Sequence, residues 1–242
     1  MVRSLLERFL SHSKGLDYRI APEVGTLELL SLAMRQGVAL TRGLFFRRQM
    51  VFLEPGVTFR SSARISVGRF SKIGRGCLIE GLSENGIEIG RGVSLGRYGR
   101  MRATATLNDL GIGVKIGDFV GMGDNFYLGA FGGIEIGAET IIGERLTIHS
   151  DNHDFDDTAT AIRLQGTTKL PVRIGTRCWL GSNITILGGV TVGDDCVIGA
   201  GAVVTKSFPR GSIIVGNPAR VVRNRFANSQ KDEPSPDLTF SS

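Results

Sequence analysis

From about residue 65 onward, an aliphatic residue followed by a small or polar one recurs every six positions. Val67-Gly68, Ile73-Gly74 and Ile79-Glu80 open the series, and Ile89-Gly90 and Leu95-Gly96 follow after a four-residue slip. Leu110-Gly111, Ile116-Gly117, Met122-Gly123 and Leu128-Gly129 keep step, as do Ile136-Gly137, Ile142-Gly143 and Ile148-His149. The cleanest run is Ile174-Gly175, Leu180-Gly181, Ile186-Leu187, Val192-Gly193, Ile198-Gly199 and Val204-Thr205. A period of six suits neither a helical stripe nor one long alternating strand. It suits a three-sided solenoid in which each hexapeptide forms one short side. The aliphatic residue then points inward, and the glycine after it carries the backbone around the corner. Three units close a coil of 18 residues. Ile174 should stack on Val192, Leu180 on Ile198 and Ile186 on Val204, about 4.8 Å apart.

The position four after each aliphatic supports this independently. It holds Ser71, Cys77, Val93, Val114, Val120, Phe126, Thr140, Leu146, Cys178, Ile184, Val190, Cys196 and Ala202, none charged in a chain that is 21% charged. It is a second inward position. All three cysteines occupy it, which makes them buried small hydrophobes rather than nucleophiles or metal ligands. The 34 glycines among 242 residues become intelligible as a corner position. With 7 prolines and no G-X-Y period they do not signal collagen.

The [LIV]-G-x-x-[small]-x unit resembles the left-handed parallel β-helix of the hexapeptide-repeat acyltransferases, over about residues 57 to 223. The resemblance implies a mainly β fold, a left-handed sense and threefold association with each active site in a cleft between two subunits. Handedness rules for parallel crossovers alone would give the opposite sense.

Charge and cysteine usage narrow the partners. Lys+Arg 29 against Asp+Glu 23 leaves +6, which favours an anionic partner such as a phosphate-bearing cosubstrate or an anionic membrane surface. No RNP, KH or zinc-finger pattern accompanies the charge, so no nucleic-acid partner is expected. An odd set of cysteines without a CxxC pair fits a reducing cytoplasm. The N-terminus MVRSLLERFLSHSKG has no signal-peptide pattern, and no apolar run reaches 18 residues. The chain is therefore expected in the cytoplasm, with the inner face of the membrane as an alternative place.

The expected division is a short helical N-terminal segment over 1–50, the β-helix domain over 51–224 with a loop insertion at 150–171, and a flexible polar tail over 225–242. Thr26 to about Gln49 reads as helix, with Arg35, Arg42, Arg47 and Arg48 beside a broad apolar surface. It would pack across the solenoid or a trimer mate, or make peripheral membrane contact. Two stretches break the repeat: 97–109, basic at Arg97, Arg100 and Arg102, and the longer Ser150–Pro171. A loop of that length in a compact domain is functional or disordered.

Acyl transfer from a thioester to a hydroxyl needs a base, a donor facing the developing oxyanion and a cradle for the carrier. Histidine suits the first role near neutral pH. His153, in Ser-Asp-Asn-His-Asp-Phe-Asp-Asp just after Ile148, resembles the Asn-His-x-x-Asp stretch of xenobiotic and sugar or polysaccharide O-acetyltransferases. There that histidine is the general base. His149 is the competitor; it holds a corner position and is expected to face outward, and His12 has no assigned role. Asp151, Asp154, Asp156 and Asp157 are candidates to orient the imidazole, or a solvated acidic loop.

The run from Pro171 to Arg225 resembles the family's signature PV-x-IG-x-x-x-W-[IL]-G…VIGAG-[SA]-VVTK…GNPA-[RK]-V almost throughout. The resemblance implies that Trp179, Gly181 and Ser182 line the pantetheine groove of acetyl-CoA, with the Ser182 N–H as oxyanion donor. Ala200 and Gly201 would leave room for the pantetheine arm, Thr205 and Lys206 would reach the nucleotide, and Arg220 and Arg223 its phosphates. Glycines of a corner and a Trp capping it would also suit a solenoid without that ligand. GxxxxGK[ST] is absent, and three histidines at the wrong spacing do not make the zinc site of γ-class carbonic anhydrases; no metal is expected. The expected activity is O-acetylation of a sugar hydroxyl in a surface polysaccharide or lipid-linked glycan precursor. Antibiotic O-acetylation and a non-catalytic β-helix scaffold are the alternatives.

Overall fold

In the computed structural model, residues 2–15, 17–47, 49–104 and 107–227 are described. The expected flexible tail lies outside the described residues beyond position 227.

The solenoid is a left-handed parallel β-helix with three faces. Face A stacks, in order, Phe52–Leu53, Lys72–Ile73, Ser94–Leu95, Gly121–Met122, Ile141–Ile142, Trp179–Leu180, Val197–Ile198 and Ser212–Val215, and ends on the antiparallel Arg220–Asn224. Face B runs from Thr58–Arg60 to Val203–Val204, and face C from Ile65–Val67 to Thr191–Val192. The expected register holds: Ile174 pairs with Val192, Leu180 with Ile198 and Ile186 with Val204. Both inward positions are buried, with Ile73, Ile79, Leu128, Ile148, Leu180 and Ile186 fully enclosed. Burial of each such side chain contributes about 1.5–3 kcal/mol. The three thiols are buried too, and burial raises each of them; Cys178 is pushed up to about 11. A thiol held that far from ionisation is a packing group.

The glycine after the aliphatic has a different task from the one expected of it. Gly68, Gly74, Gly96, Gly123 and Gly143 do not have positive φ; the left-handed corner residue is the third after the aliphatic, such as Phe70, Tyr98, Phe119, Asn125, Arg145 or Asn183. The glycine is required by stacking. A Cβ on Gly123 would lie 2.6 Å from the Glu144 nitrogen and 2.7 Å from the Gly143 carbonyl carbon, atoms of the next coil's backbone. The coils approach so closely at the corners that a side chain would hold them apart.

The longer break spans 150–171 as expected, but the first falls elsewhere. Arg97–Gly99 turn an ordinary corner and Arg100–Arg102 is a face B strand, so that interruption occupies 103–113. Leu110-Gly111, in step by sequence, belongs to this loop rather than to a strand.

The N-terminal residues cover the starting end of the solenoid. α1 (Val2–Lys14) sets Phe9 edge-on between Phe52 and Phe70, at 5.9 and 6.2 Å, and His12 packs on Phe70 at 5.3 Å. Arg3 holds the following turn by donating to the Ala21 and Val24 carbonyls at 2.8 and 2.6 Å. α2 (Thr26–Arg47) buries Leu29 and Ala39, and its Gly43 presses on the Val51 backbone. Its opposite side exposes Leu27, Leu30, Met34, Val38 and Phe45.

Candidate active site

The A–B corner is a column of glycines, Gly74, Gly96, Gly123, Gly143, Gly181 and Gly199, hydrogen-bonded coil to coil through Gly96 N–H to the Met122 carbonyl and onward. The N–H of the residue after each glycine needs an acceptor. Arg97 N–H finds Asp124 Oδ1 at 2.7 Å, and Glu144 N–H finds Ser182 Oγ at 3.3 Å. The Ser182 N–H has Ala200 at the next level, which offers no side-chain acceptor, and nothing among the described residues accepts it. Gly201, at φ 73°, has open space where a Cβ would stand. Trp179 stands beside this corner on face A, 59% exposed, between Ile141 and Val197. An unfilled donor, a bare backbone and an exposed aromatic wall therefore share one corner. That is a cradle for a thin, polar-backed chain.

His153 lies on a different edge. The chain leaves face B after His149 and returns to face C at Val172. The buried Ser150 secures the departure: its Oγ donates to the Gly129 carbonyl and accepts from Gly132 N–H, both at 2.9 Å. Asp151–His153 then pairs antiparallel with Thr167–Lys169, forming a stiff arm. Lys169 ties the arm to two lower loops, with Nζ 2.8 Å from Asp109 Oδ1, 2.8 Å from the Leu110 carbonyl and 3.5 Å from Glu84 Oε1. The same Nζ sits 4.9 Å above the Phe131 ring.

His153 is exposed, and its Nδ1 is 3.4 Å from Thr167 Oγ1. Sequence reasoning offers four aspartates to orient this ring and misses Thr167, which only the hairpin register brings opposite it. Asp154 instead accepts the Thr168 hydroxyl at 2.6 Å, and Asp157 accepts Ala159 N–H at 2.9 Å. His149 faces outward as expected, its ring tilted against that of Tyr127 at 5.4 Å beside Gly129.

Of the expected residues, one chain gathers Trp179, Gly181, Ser182, Ala200 and Gly201 at the A–B corner, with Arg220 on the hairpin strand opposite Val215. Thr205 and Lys206 follow face B, at the B–C corner that also carries the arm of His153. Arg223 sits opposite Ile213 on the terminal hairpin. A single chain does not bring His153 to the A–B corner. No group of three or more His, Cys, Asp or Glu suited to a metal occurs among the described residues.

Comparison with known proteins agrees with this architecture. Residues 171–206 match the hexapeptide repeat of succinyl-transferase. The chain is 37% identical over 139 residues to a probable acetyltransferase, Rv3034c, of Mycobacterium tuberculosis, covering 57% of this chain and 44% of the relative. It is 36% identical over 112 residues to WcaF of Escherichia coli, named as a candidate colanic acid biosynthesis acetyltransferase, covering 46% and 59%. The chain thus spans about half the length of the curated relatives it matches. Among solved structures, a mutant form of AntD, an N-acyltransferase from Bacillus cereus, superposes with TM-score 0.50 at 18% identity, over 73% of this chain and 81% of that one. That likeness is one of fold. In repeat, coil and sequence the chain is similar to the hexapeptide-repeat acetyltransferases.

Proposed function

We propose that the protein is an acetyl-CoA-dependent O-acetyltransferase that acts on a sugar hydroxyl, in a surface polysaccharide or a glycan precursor. The observation that carries the reading is the unfilled Ser182 N–H beside the open backbone of Gly201. At the same corner the Arg97 and Glu144 N–H groups are filled by side chains of the next coil. The Ser182 N–H, like those of Asp124 and Ala200, has no acceptor among the described residues; its place beside Trp179 and Gly201 is what favours a ligand there. The name of WcaF supports the glycan side of the reading.

In this mechanism Nδ1–H of His153 donates to Thr167, leaving Nε2 as the base. The hydroxyl proton passes to Nε2 as its oxygen attacks the thioester carbonyl carbon. The Ser182 N–H meets the oxygen that gains charge. The carbon–sulfur bond then breaks, the acetyl ester is formed, and the CoA thiolate takes the proton back from the imidazolium. Trp179, Gly181, Ala200 and Gly201 hold the pantetheine chain, while Thr205, Lys206, Arg220 and Arg223 meet the nucleotide end. Because base and cradle lie on different corners, the site is completed by a second copy in a homotrimer. One copy supplies His153, Thr205 and Lys206; its neighbour supplies the A–B corner.

The test is an acetyl-CoA turnover screen against simple sugars, glycan precursors and antibiotics, with thermal shift by acetyl-CoA measured alongside. Transfer to a glycan hydroxyl is expected. Neither thermal shift nor turnover with any acceptor would leave a scaffold, and transfer to antibiotics alone would replace the glycan reading.

A further inference from the structure

A cleft of about 900 Å³ lies between α2 and the starting end of the A–B corner. That size is ample for a small ligand. Its walls carry Arg35 and Arg42 from α2, and Lys72, Arg75 and Arg97 from the solenoid, against two carboxylates, Glu54 and Asp124. Both carboxylates are already engaged. Lys72 Nζ is 2.7 Å from Glu54 Oε1, and Arg97 Nη2 is 2.7 Å from Asp124 Oδ2. Burial would raise the Glu54 carboxyl, but the Lys72 hydrogen bond and the nearby charges hold it below its ordinary value, so that pair stays ionic.

The guanidinium groups of Arg35, Arg42 and Arg75 make no ion pair within 4 Å among the described residues, although the Arg75 backbone N–H donates to Glu54 Oε2 at 3.0 Å; Arg42 reaches the Leu53 carbonyl, at 3.5 Å. The three arginines line one cleft whose basic groups outnumber its two carboxylates, and the forked donor geometry of Arg matches phosphate oxygens.

The cleft's place in the column says what such an anion would belong to. Its floor includes Gly74, Gly96 and Gly123, the lower members of the column that continues to Gly143 and Gly181. Gly123 is two coils from Gly181, about 10 Å at the usual strand spacing. The coil between them is that of Gly143 and Ile148, from which the arm of His153 departs. The cleft therefore ends one coil short of the level of the base, on the side away from the donor cradle. Its lip is apolar, with Met34 and Val38 of α2 exposed.

We propose that this cleft binds the diphosphate of a glycosyl diphosphate acceptor through Arg35, Arg42 and Arg75, so that the sugar extends along the glycine column toward the base supplied by the neighbouring copy. The direction of the sugar rests on the acetyltransferase reading, whereas diphosphate binding does not. The carrier attached to the diphosphate is a nucleoside or a prenyl chain, and the exposed Met34 and Val38 would accommodate either.

The test is calorimetric titration of the full chain, with and without saturating CoA, using inorganic pyrophosphate, UDP-N-acetylglucosamine, farnesyl diphosphate and farnesol. CoA saturation ensures that the CoA site is not what takes up the probe. Diphosphates should bind with CoA present and farnesol should not. The combined Arg35→Gln, Arg42→Gln and Arg75→Gln variant should lose about tenfold or more in diphosphate affinity, with CoA affinity and melting temperature unchanged. If the triple variant is unstable, Arg75→Gln alone should weaken binding in the same direction. A preference for one of the two carriers identifies the acceptor's source. No diphosphate binding, or equal binding by the folded variants, would overturn the proposal. Failure to bind CoA while diphosphate still binds would instead count against the acetyltransferase reading alone.

Discussion

At the A–B corner every coil turns in four residues, 74–77, 96–99, 123–126, 143–146, 181–184 and 199–202, whereas at the B–C corner successive coils spend 81–86, 103–113, 130–133, 150–171 and 187–190. The same chain makes both, so the contrast isolates a cause. The A–B turns are locked together by glycines whose Cβ would strike the next coil's backbone, which leaves no slack for insertion. The B–C turns lead outward into solvent, where extra length costs little. The proposed function divides along this line. The rigid corner offers a shaped surface for a thin ligand, and the permissive corner carries the histidine and the lysine that anchors it.

Removing the base from the permissive corner should have the largest effect. His153→Ala is expected to lose on the order of 10²–10⁴-fold in turnover while retaining acetyl-CoA binding by calorimetry, and His149→Ala should lose much less. Equal losses in the two variants would move the base to His149. Next comes the anchor. Lys169→Met cuts the arm from Asp109, Glu84 and the Leu110 carbonyl, and turnover should fall about 10- to 100-fold through misplacement of the base. KM for acetyl-CoA should not change, and Lys169→Arg should recover part of the rate. An unchanged kcat for Lys169→Met would show that the arm positions itself without the lysine.

On the rigid corner the cost appears as stability. Gly123→Ala should lose about 1–3 kcal/mol in chemical denaturation, because the atoms it meets are backbone, while Gly121→Ala, with nothing within 4 Å, should be near neutral. Equal effects would refute stacking as the reason for the corner glycines.

The smallest effect concerns Asp195, at the C–A corner, where the side-chain hydrogen bonds of Arg177 and Arg210 hold its carboxyl down at about 2. A carboxyl lowered on folding stabilises the fold above its unfolded value and loses that contribution as pH falls toward the folded one. Melting temperature should therefore drop between about pH 4 and 2, and less steeply in Asp195→Asn. Identical slopes would remove Asp195 from the acid response.

What can be read in the sequence follows the same division. A period of six, the uncharged fourth position and the eighteen-residue stacking are properties of a repeating backbone, so Ile174, Leu180 and Ile186 find their partners without coordinates. The task of the corner glycine is not legible there, because a sequence shows that a side chain is absent but not what would have struck it. Nor does spacing reveal that Lys169 bonds Asp109, that Thr167 stands by His153, or that Ala200 leaves the Ser182 N–H open. These depend on which coil lies above which, and irregular corners hide that order. α1 likewise escapes notice as a separate element; its Phe9 makes sense only against Phe52 and Phe70.

The central claim is that the base of one copy serves the cradle of another, and subunit mixing tests it most directly. His153→Ala lacks the base and Ala200→Trp blocks the cradle, so each variant alone should be inactive. Co-expressed or refolded together, they should regain about a quarter of wild-type turnover from sites that pair an intact His153 with an intact corner. Mixtures that stay as inactive as their parents, despite forming mixed trimers, would contradict the account and return the whole site to a single chain.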